Sequence, residues 1–203
     1  MNSRLASWPL RAALAVLLSA SAALAQTYTA NQIPAGNTAY DSYPYNFTGM
    51  ITVPNFGSGS GAVVRHPKVV FSCAHVVFDK SAVDPWLSNV HWHRAWESGT
   101  APSFSGGQTL RSYYRYTGYA AAARAQQNSS QSFSMDFVVH YAFENTAGGG
   151  YAGWWNDGVS QLKSSTRTKL ITGYPAGLYP GGNSGKYLMH RTGPFTRAFS
   201  TAY

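Results

Sequence analysis

Cysteine is almost missing from this chain. Cys73 is the single one in 203 residues, so no internal disulfide can form. Acidic residues are scarce too: seven Asp and Glu stand against fifteen Lys and Arg, and charged residues amount to 11% of the chain. The cations are scattered and form no dense basic tract, so the positive balance is a weak argument for an anionic partner, and nucleic-acid binding is not expected. Past the N-terminal segment no stretch approaches the ~20 consecutive apolar residues of a membrane-spanning helix. No repeat of fixed period is present, and nothing has coiled-coil or collagen character.

What is present points to an exported β protein. Arg4 and Arg11 precede the short apolar run Ala12 to Ala22, and Ala23-Leu24-Ala25 forms a small-residue cleavage site. Residues 1–25 therefore read as a secretory signal peptide, which leaves 26–203 as one sizeable domain or two small ones. Gly, Ser, Thr and the fourteen Tyr dominate this part, as in secreted all-β proteins. With one cysteine, the default for Cys73 is a small buried packing residue.

The informative stretch runs from Gly57 to Val77, GSGSGAVVRHPKVVFSCAHVV. Glycines alternate with serines up to the apolar run Ala62-Val63-Val64. The polar Arg65-His66-Pro67-Lys68 follows, then a second apolar run, Val69-Val70-Phe71. Two β-rich runs around a four-residue turn predict a hairpin. Its second strand delivers His75 among small residues, where an imidazole can be held in fixed geometry as a general base near neutral pH.

The rest of the chain reads as short strands. Gln26 to Phe47 is a loop-rich arm, and Thr48 to Val53 is a strand. His91-Trp92-His93 suggests a strand with both histidines on one face; without a third ligand at zinc-site spacing they read as ordinary surface histidines. Gln108 to Tyr119 is an exposed strand in which Arg111 and Arg115 alternate with tyrosines. Ala121 to Gln131 is helix-permissive and reads as a loop before the strand Ser134 to Tyr141. Asn145 to Gly150 marks a break between two units. Tyr151 to Val159 and Lys169 to Pro175 would open the second unit, with Tyr187 to Phe195 as a later strand and turn.

A histidine base needs a carboxylate on its far ring nitrogen and a hydroxyl on its near one. Asp41, Asp79, Asp84, Asp136 and Asp157 are the aspartates. Asp79 lies in a polar loop close to His75, and Asp84 precedes Pro85 as a turn residue. Asp136 enters a strongly apolar strand, where desolvation strengthens an ion pair, and is the chosen partner. For the hydroxyl, Gly182-Asn183-Ser184-Gly185 is a tight Gly-rich turn that could expose Ser184. Read by composition alone, Tyr179 to Lys186 is instead an ordinary loop between two strands.

Taken together, hydrophobic-Ser-Cys-Ala-His-Val after a Gly-rich hairpin, Asp136-Phe137-Val138-Val139, and Gly182-Asn183-Ser184-Gly185 resemble the motifs of the trypsin-like serine peptidases. Ile171-Thr172-Gly173-Tyr174-Pro175 resembles the glutamyl-endopeptidase-like branch in particular. The resemblance covers about Thr48 to Phe199. It implies an all-β fold of two antiparallel six-stranded barrels, the first at about 48–145 and the second, incomplete, at about 150–203.

By the same resemblance His75 is the base and Asp136 its orienter. Ser184 is a doubtful nucleophile: Lys186-Tyr187 follows where the family has a small residue or proline, and too few strands precede it. The nucleophile is then expected after Tyr203. Where many relatives carry a half-cystine directly after the histidine, this chain has Val76; lack of disulfides suits the bacterial members. The activity implied is a secreted, monomeric serine-type endopeptidase acting on polypeptides, with no metal and no cofactor. Two alternatives stay open: a barrel retained for binding without a competent serine, and a carbohydrate-binding β-domain using Trp92, Trp96, Trp154 and Trp155.

Overall fold

The computed structural model describes residues 31–32, 42–96, 107–148, 150–153, 160–175 and 187–193. The signal peptide, Ser184 with its surrounding loop, Asp157 and the Trp154-Trp155 pair lie outside the described residues. No helix among the described residues is long and apolar enough to cross a membrane.

Strand β1 (Asn31–Gln32) comes first, then β2 (Thr48–Val53), β3 (Gly57–Val63) and β4 (Val69–Ser72). The β2–β3 connection is a tight turn: Phe56 N–H donates to Val53 O at 3.1 Å, and Asn55 takes φ 60°. Pro at the second position and Asn, which tolerates the left-handed region, at the third is the chemistry such a turn demands. The β3–β4 hairpin has the register expected from its apolar runs, Val63 opposite Val70 and Ala62 opposite Phe71.

Next come β5 (His91–Arg94), β6 (Gln108–Thr109), β7 (Arg111–Arg115) and β8 (Val138–Tyr141). With β2 to β4 they form one antiparallel sheet in the order β6-β5-β2-β3-β4-β8-β7. Its two edges, β6 and β7, are consecutive in the chain and separated by Leu110 alone. One bent segment thus pairs with β5 at one end and with β8 at the other, so the sheet closes on itself as a six-stranded barrel. Closure leaves no free edge along this segment.

Inward side chains fill the barrel: Ile51, Val53, Val63, Val70, Val90, Trp92 and Val138 belong to one buried cluster that Phe78 and Tyr119 join. Trp92 indole N–H donates to Thr146 O at 2.8 Å, and both Thr146 N–H and its hydroxyl donate to Pro67 O at 2.7 Å. Residues after β8 are thereby strapped along the β3–β4 turn.

Two helices interrupt the stretch read as a loop. Helix α1 (Tyr119–Ala125) and the single-turn α2 (Ser130–Ser134) lie between β7 and β8. Five alanines give α1 its helix propensity, and burial of Tyr119, Ala122 and Ala123 on the barrel end stabilises it further. Ser129 caps α2, accepting from Ser132 N–H at 3.1 Å.

A short helix α3 (Ser160–Lys163) precedes β9 (Lys169–Gly173) and β10 (Met189–Gly193). These two pair antiparallel from Gly173–Met189 to Lys169–Gly193, and β1 adds to β10. This second sheet has three strands among the described residues. It covers the outer face of β2, which explains why every residue of β2 is buried. Met50 packs on Tyr174 and Leu188, Thr48 Oγ1 meets Thr172 Oγ1 at 2.7 Å, and Tyr174 N–H donates to Ser60 Oγ at 2.7 Å.

Candidate active site

The β3 alternation of glycine and serine has a structural cause. Odd-numbered glycines face inward and serines face out. A methyl group on Gly61 would strike Trp92 (2.9 Å), and one on Gly59 would overlap Val76. Glycine at 59 lets the segment after β4 press close against the barrel wall, and glycine at 61 leaves room for Trp92 inside it. That segment, Ala74–Val77, is a 3-10 turn preceded by extended Cys73, with Ala74, Val76 and Val77 buried. His75, the odd residue out, is turned outward with half its side chain exposed.

Asp136 lies at the mouth of β8, just after α2. Its carboxylate grips His75 twice: Nδ1 lies 2.6 Å from Oδ2, and His75 backbone N–H donates to Oδ1 at 2.9 Å. The carboxylate itself is only 10% exposed. This double contact fixes ring orientation and favours the tautomer with the proton on Nδ1. Nε2 has no hydrogen-bond partner among the described residues, leaving its lone pair available.

The electrostatics agree with this geometry. The hydrogen bond to Asp136 raises the His75 pKa above the ordinary imidazole value; burial opposes it and the carboxylate charge adds to it. Burial works to raise Asp136, but the His75 ring and backbone hydrogen bonds, the His75 charge and Ala74 N–H outweigh it, so the carboxyl sits lower than usual. Tyr119 is driven the other way, first by burial and then by the adjoining Asp136 charge and hydrogen bond. Its buried hydroxyl therefore stays protonated beside the carboxylate.

Other expectations need correction. Cys73 is exposed rather than packed in the core, because the chain is still extended there and Ala74 takes the inward position. Burial first, and the Asp136 charge second, raise its thiol pKa. His91 and His93 are not surface residues: they are 6% and 5% exposed. His91 Nε2 meets Asn89 Oδ1 at 3.0 Å, and His93 Nε2 meets Thr52 Oγ1 at 3.0 Å. Trp92 lies in the barrel core at 2% exposure, and Trp96 packs edge-on against His93 at 5.5 Å. Asp79 holds its own loop, accepting from Ser81 N–H and hydroxyl, and takes no part in the site. The Cys73 position was legible in principle, since residues two apart in extended chain share a face.

No sequence-family model matches this chain, and no curated protein does. Among solved structures, a Glu endopeptidase in complex with MPD superimposes with a TM-score of 0.58 at 20% identity, over 86% of this chain and 71% of that one. The fold is trypsin-like. The protease Anisep from Arthrobacter Nicotinovorans also matches, with a TM-score of 0.50 at 18% identity over 73% of this chain. The matched region spans 63% of Anisep, less than two thirds of its length. In the trypsin-like fold described here the first barrel is closed, while the second is represented by three strands among the described residues.

Proposed function

We propose that this chain supplies the base and its orienter to a secreted serine-type endopeptidase that hydrolyses polypeptides through an acyl-enzyme. The observation that carries the reading is the double grip of Asp136 on His75, with ring and backbone N–H on the two oxygens of one carboxylate. In this reading Nε2 takes the proton of a serine hydroxyl as it attacks the scissile carbonyl. Asp136 stabilises the imidazolium so formed, and His75 returns the proton to the leaving amine.

Ser184 is not the nucleophile in this reading. The local composition supports this: Tyr179 to Lys186 is a Gly/Asn/Ser stretch of the kind that connects two strands. In this reading the nucleophilic serine is supplied from outside these 203 residues. Fluorophosphonate labelling tests both halves. The 203-residue chain should give no serine adduct, and the chain extended by its genomic continuation should label once, with loss of labelling in His75→Ala. An adduct on Ser184 in the short chain would refute the assignment. No adduct in the extended chain would favour a barrel kept for binding. The sugar-platform alternative loses support, since Trp92 is buried in the core and Trp96 is packed against His93.

A further inference from the structure

A third metal-ligating group stands beside the His75–Asp136 pair. Cys73 Sγ, a His75 ring nitrogen and an Asp136 carboxylate oxygen all lie within 4.8 Å of one another, and no other such cluster of three occurs among the described residues. Local backbone geometry sets this up. Cys73 is extended, with φ −80° and ψ 142°, and the turn begins at Ala74. Ala74 points inward, so Cys73 and His75 emerge on the same side, both exposed.

Thiolate, imidazole and carboxylate together are a donor set for a soft or borderline divalent cation such as zinc. Bonds of about 2.0–2.3 Å in a tetrahedral site place donor atoms roughly 3.3–3.8 Å apart. With all three donor atoms within 4.8 Å of one another, side-chain rotation of about 1 Å brings the sulfur into that range. Nδ1 and Oδ2 are nearer, at 2.6 Å, because a proton bridges them. An ion entering there would replace that proton, and the two donors would part by about 1 Å. Exposure of Cys73 and His75 provides the entry path, and the fourth position faces water.

We propose that Cys73, His75 and Asp136 form a binding site for a thiophilic divalent cation, Zn2+ or its analogue Cd2+, which competes with the proton on His75 Nδ1. Cys73 loses its thiol proton to solvent and bonds through sulfur. Nδ1 bonds the ion, and the one proton of the neutral imidazole moves to Nε2. With Nε2 protonated, no lone pair faces a serine hydroxyl, so the bound ion holds the base inactive. That consequence rests on the peptidase reading above; the binding site does not.

The test is Cd2+ titration of the 203-residue chain, followed by thiolate-to-cadmium charge-transfer absorbance, with nitrogen-15 spectra of the His75 imidazole under Zn2+. Expected are one-to-one binding, a shift of the ring proton from Nδ1 to Nε2, and affinity at least ~10-fold lower in Cys73→Ser, His75→Ala and Asp136→Asn, the order of loss seen when a ligand shell is disturbed. Cys73 is exposed, so Cys73→Ser keeps the test valid if the other variants fold poorly. An absent band, a band whose affinity is unchanged in His75→Ala, or a tautomer unmoved by Zn2+ would each overturn the proposal. None of these readouts needs catalysis. Fluorophosphonate labelling can therefore fail while ion binding holds, and the reverse outcome separates the two ideas equally well.

Discussion

Gly59 and Val76 meet across the barrel wall with no room for a methyl group between them: a Cβ on Gly59 would overlap the Val76 Cγ2 atom. Val76 follows His75 directly, so the glycine sets how deep the histidine turn can sit. Gly59→Ala should destabilise the fold by about 1–3 kcal/mol, as overpacking does, and should loosen the His75 grip on Asp136. Gly57 is the control, since a Cβ there meets nothing within 4 Å. Urea midpoints of the two variants, read with the His75 Nδ1 proton resonance, check this. Equal, small effects at both positions would remove the packing argument.

Removing the Asp136 charge should lower the His75 pKa. In the intact chain the carboxylate raises it, so protonated His75 is favoured by folding at pH below its unfolded value, and that contribution fades as pH rises through the folded value. Asp136 has a lowered pKa, so its contribution is present above the unfolded carboxylate value and is lost as pH falls through the folded one. The pair is therefore strongest between those two titrations. Asp136→Asn should shift His75 titration downward by NMR, and under the proposed peptidase function it should cut turnover by about 10⁴-fold. An unmoved His75 titration would contradict the coupling.

Acid should unfold this protein through its buried histidines. His140 has no exposed surface, and neither of its ring nitrogens has a partner among the described residues. Tyr113 approaches it edge-on at 5.4 Å, an apolar contact that offers the ring no acceptor. Burial pushes His140 down to about 4, and burial with the neighbouring His91 pushes His93 down to about 4. Between the unfolded value and those folded ones the unfolded chain binds more protons, so stability falls as pH drops, by about 1.4 kcal/mol per pH unit per histidine. His140→Phe should flatten the denaturation curve between roughly pH 6.5 and 4, the span from the ordinary value to the depressed one. An identical acid limb in the variant would assign the loss elsewhere.

Ser60 is one of the links between the two sheets, accepting Tyr174 N–H at 2.7 Å on the outer face of β3. Ser60→Ala removes that hydrogen bond at a cost of about 0.5–1.5 kcal/mol. The loss should be local: amide exchange should quicken over 169–174 and stay slow in β3 and β4, which lie inside the closed barrel. Before any mutation, β9 should exchange faster than β4, because β9 is an edge strand among the described residues and Ile171 is 60% exposed. Uniform protection across both sheets would show that the second sheet needs nothing more to be stable.

Several features were legible because they are local. The strand Thr48–Val53 and the hairpin around Arg65–Lys68 follow from apolar runs separated by turn residues, and turn chemistry acts within a few residues. Asp136 stood out because an acid entering an apolar strand is costly to bury unless it is paired. The Gly–Ser alternation showed that β3 has two different faces, though not what each face meets.

The remaining features were decided by contacts distant in sequence. Ala121 to Gln131 scored as a polar, permissive loop, and it is a helix only because Tyr119 and Ala123 find the barrel end to cover. His91 and His93 share a face as the alternation required, but their burial depends on packing around β2 and β5, with Thr52 and Trp96 as neighbours. Closure of the barrel rests on one segment, 108–115, pairing with β5 at one end and β8 at the other, which no local pattern encodes. Residue types and their period determined which side chains could do chemistry and which way each could point. The fold alone decided that Cys73, His75 and Asp136 share one small volume, because side-chain proximity across 61 residues of sequence is set by the packing of the whole barrel.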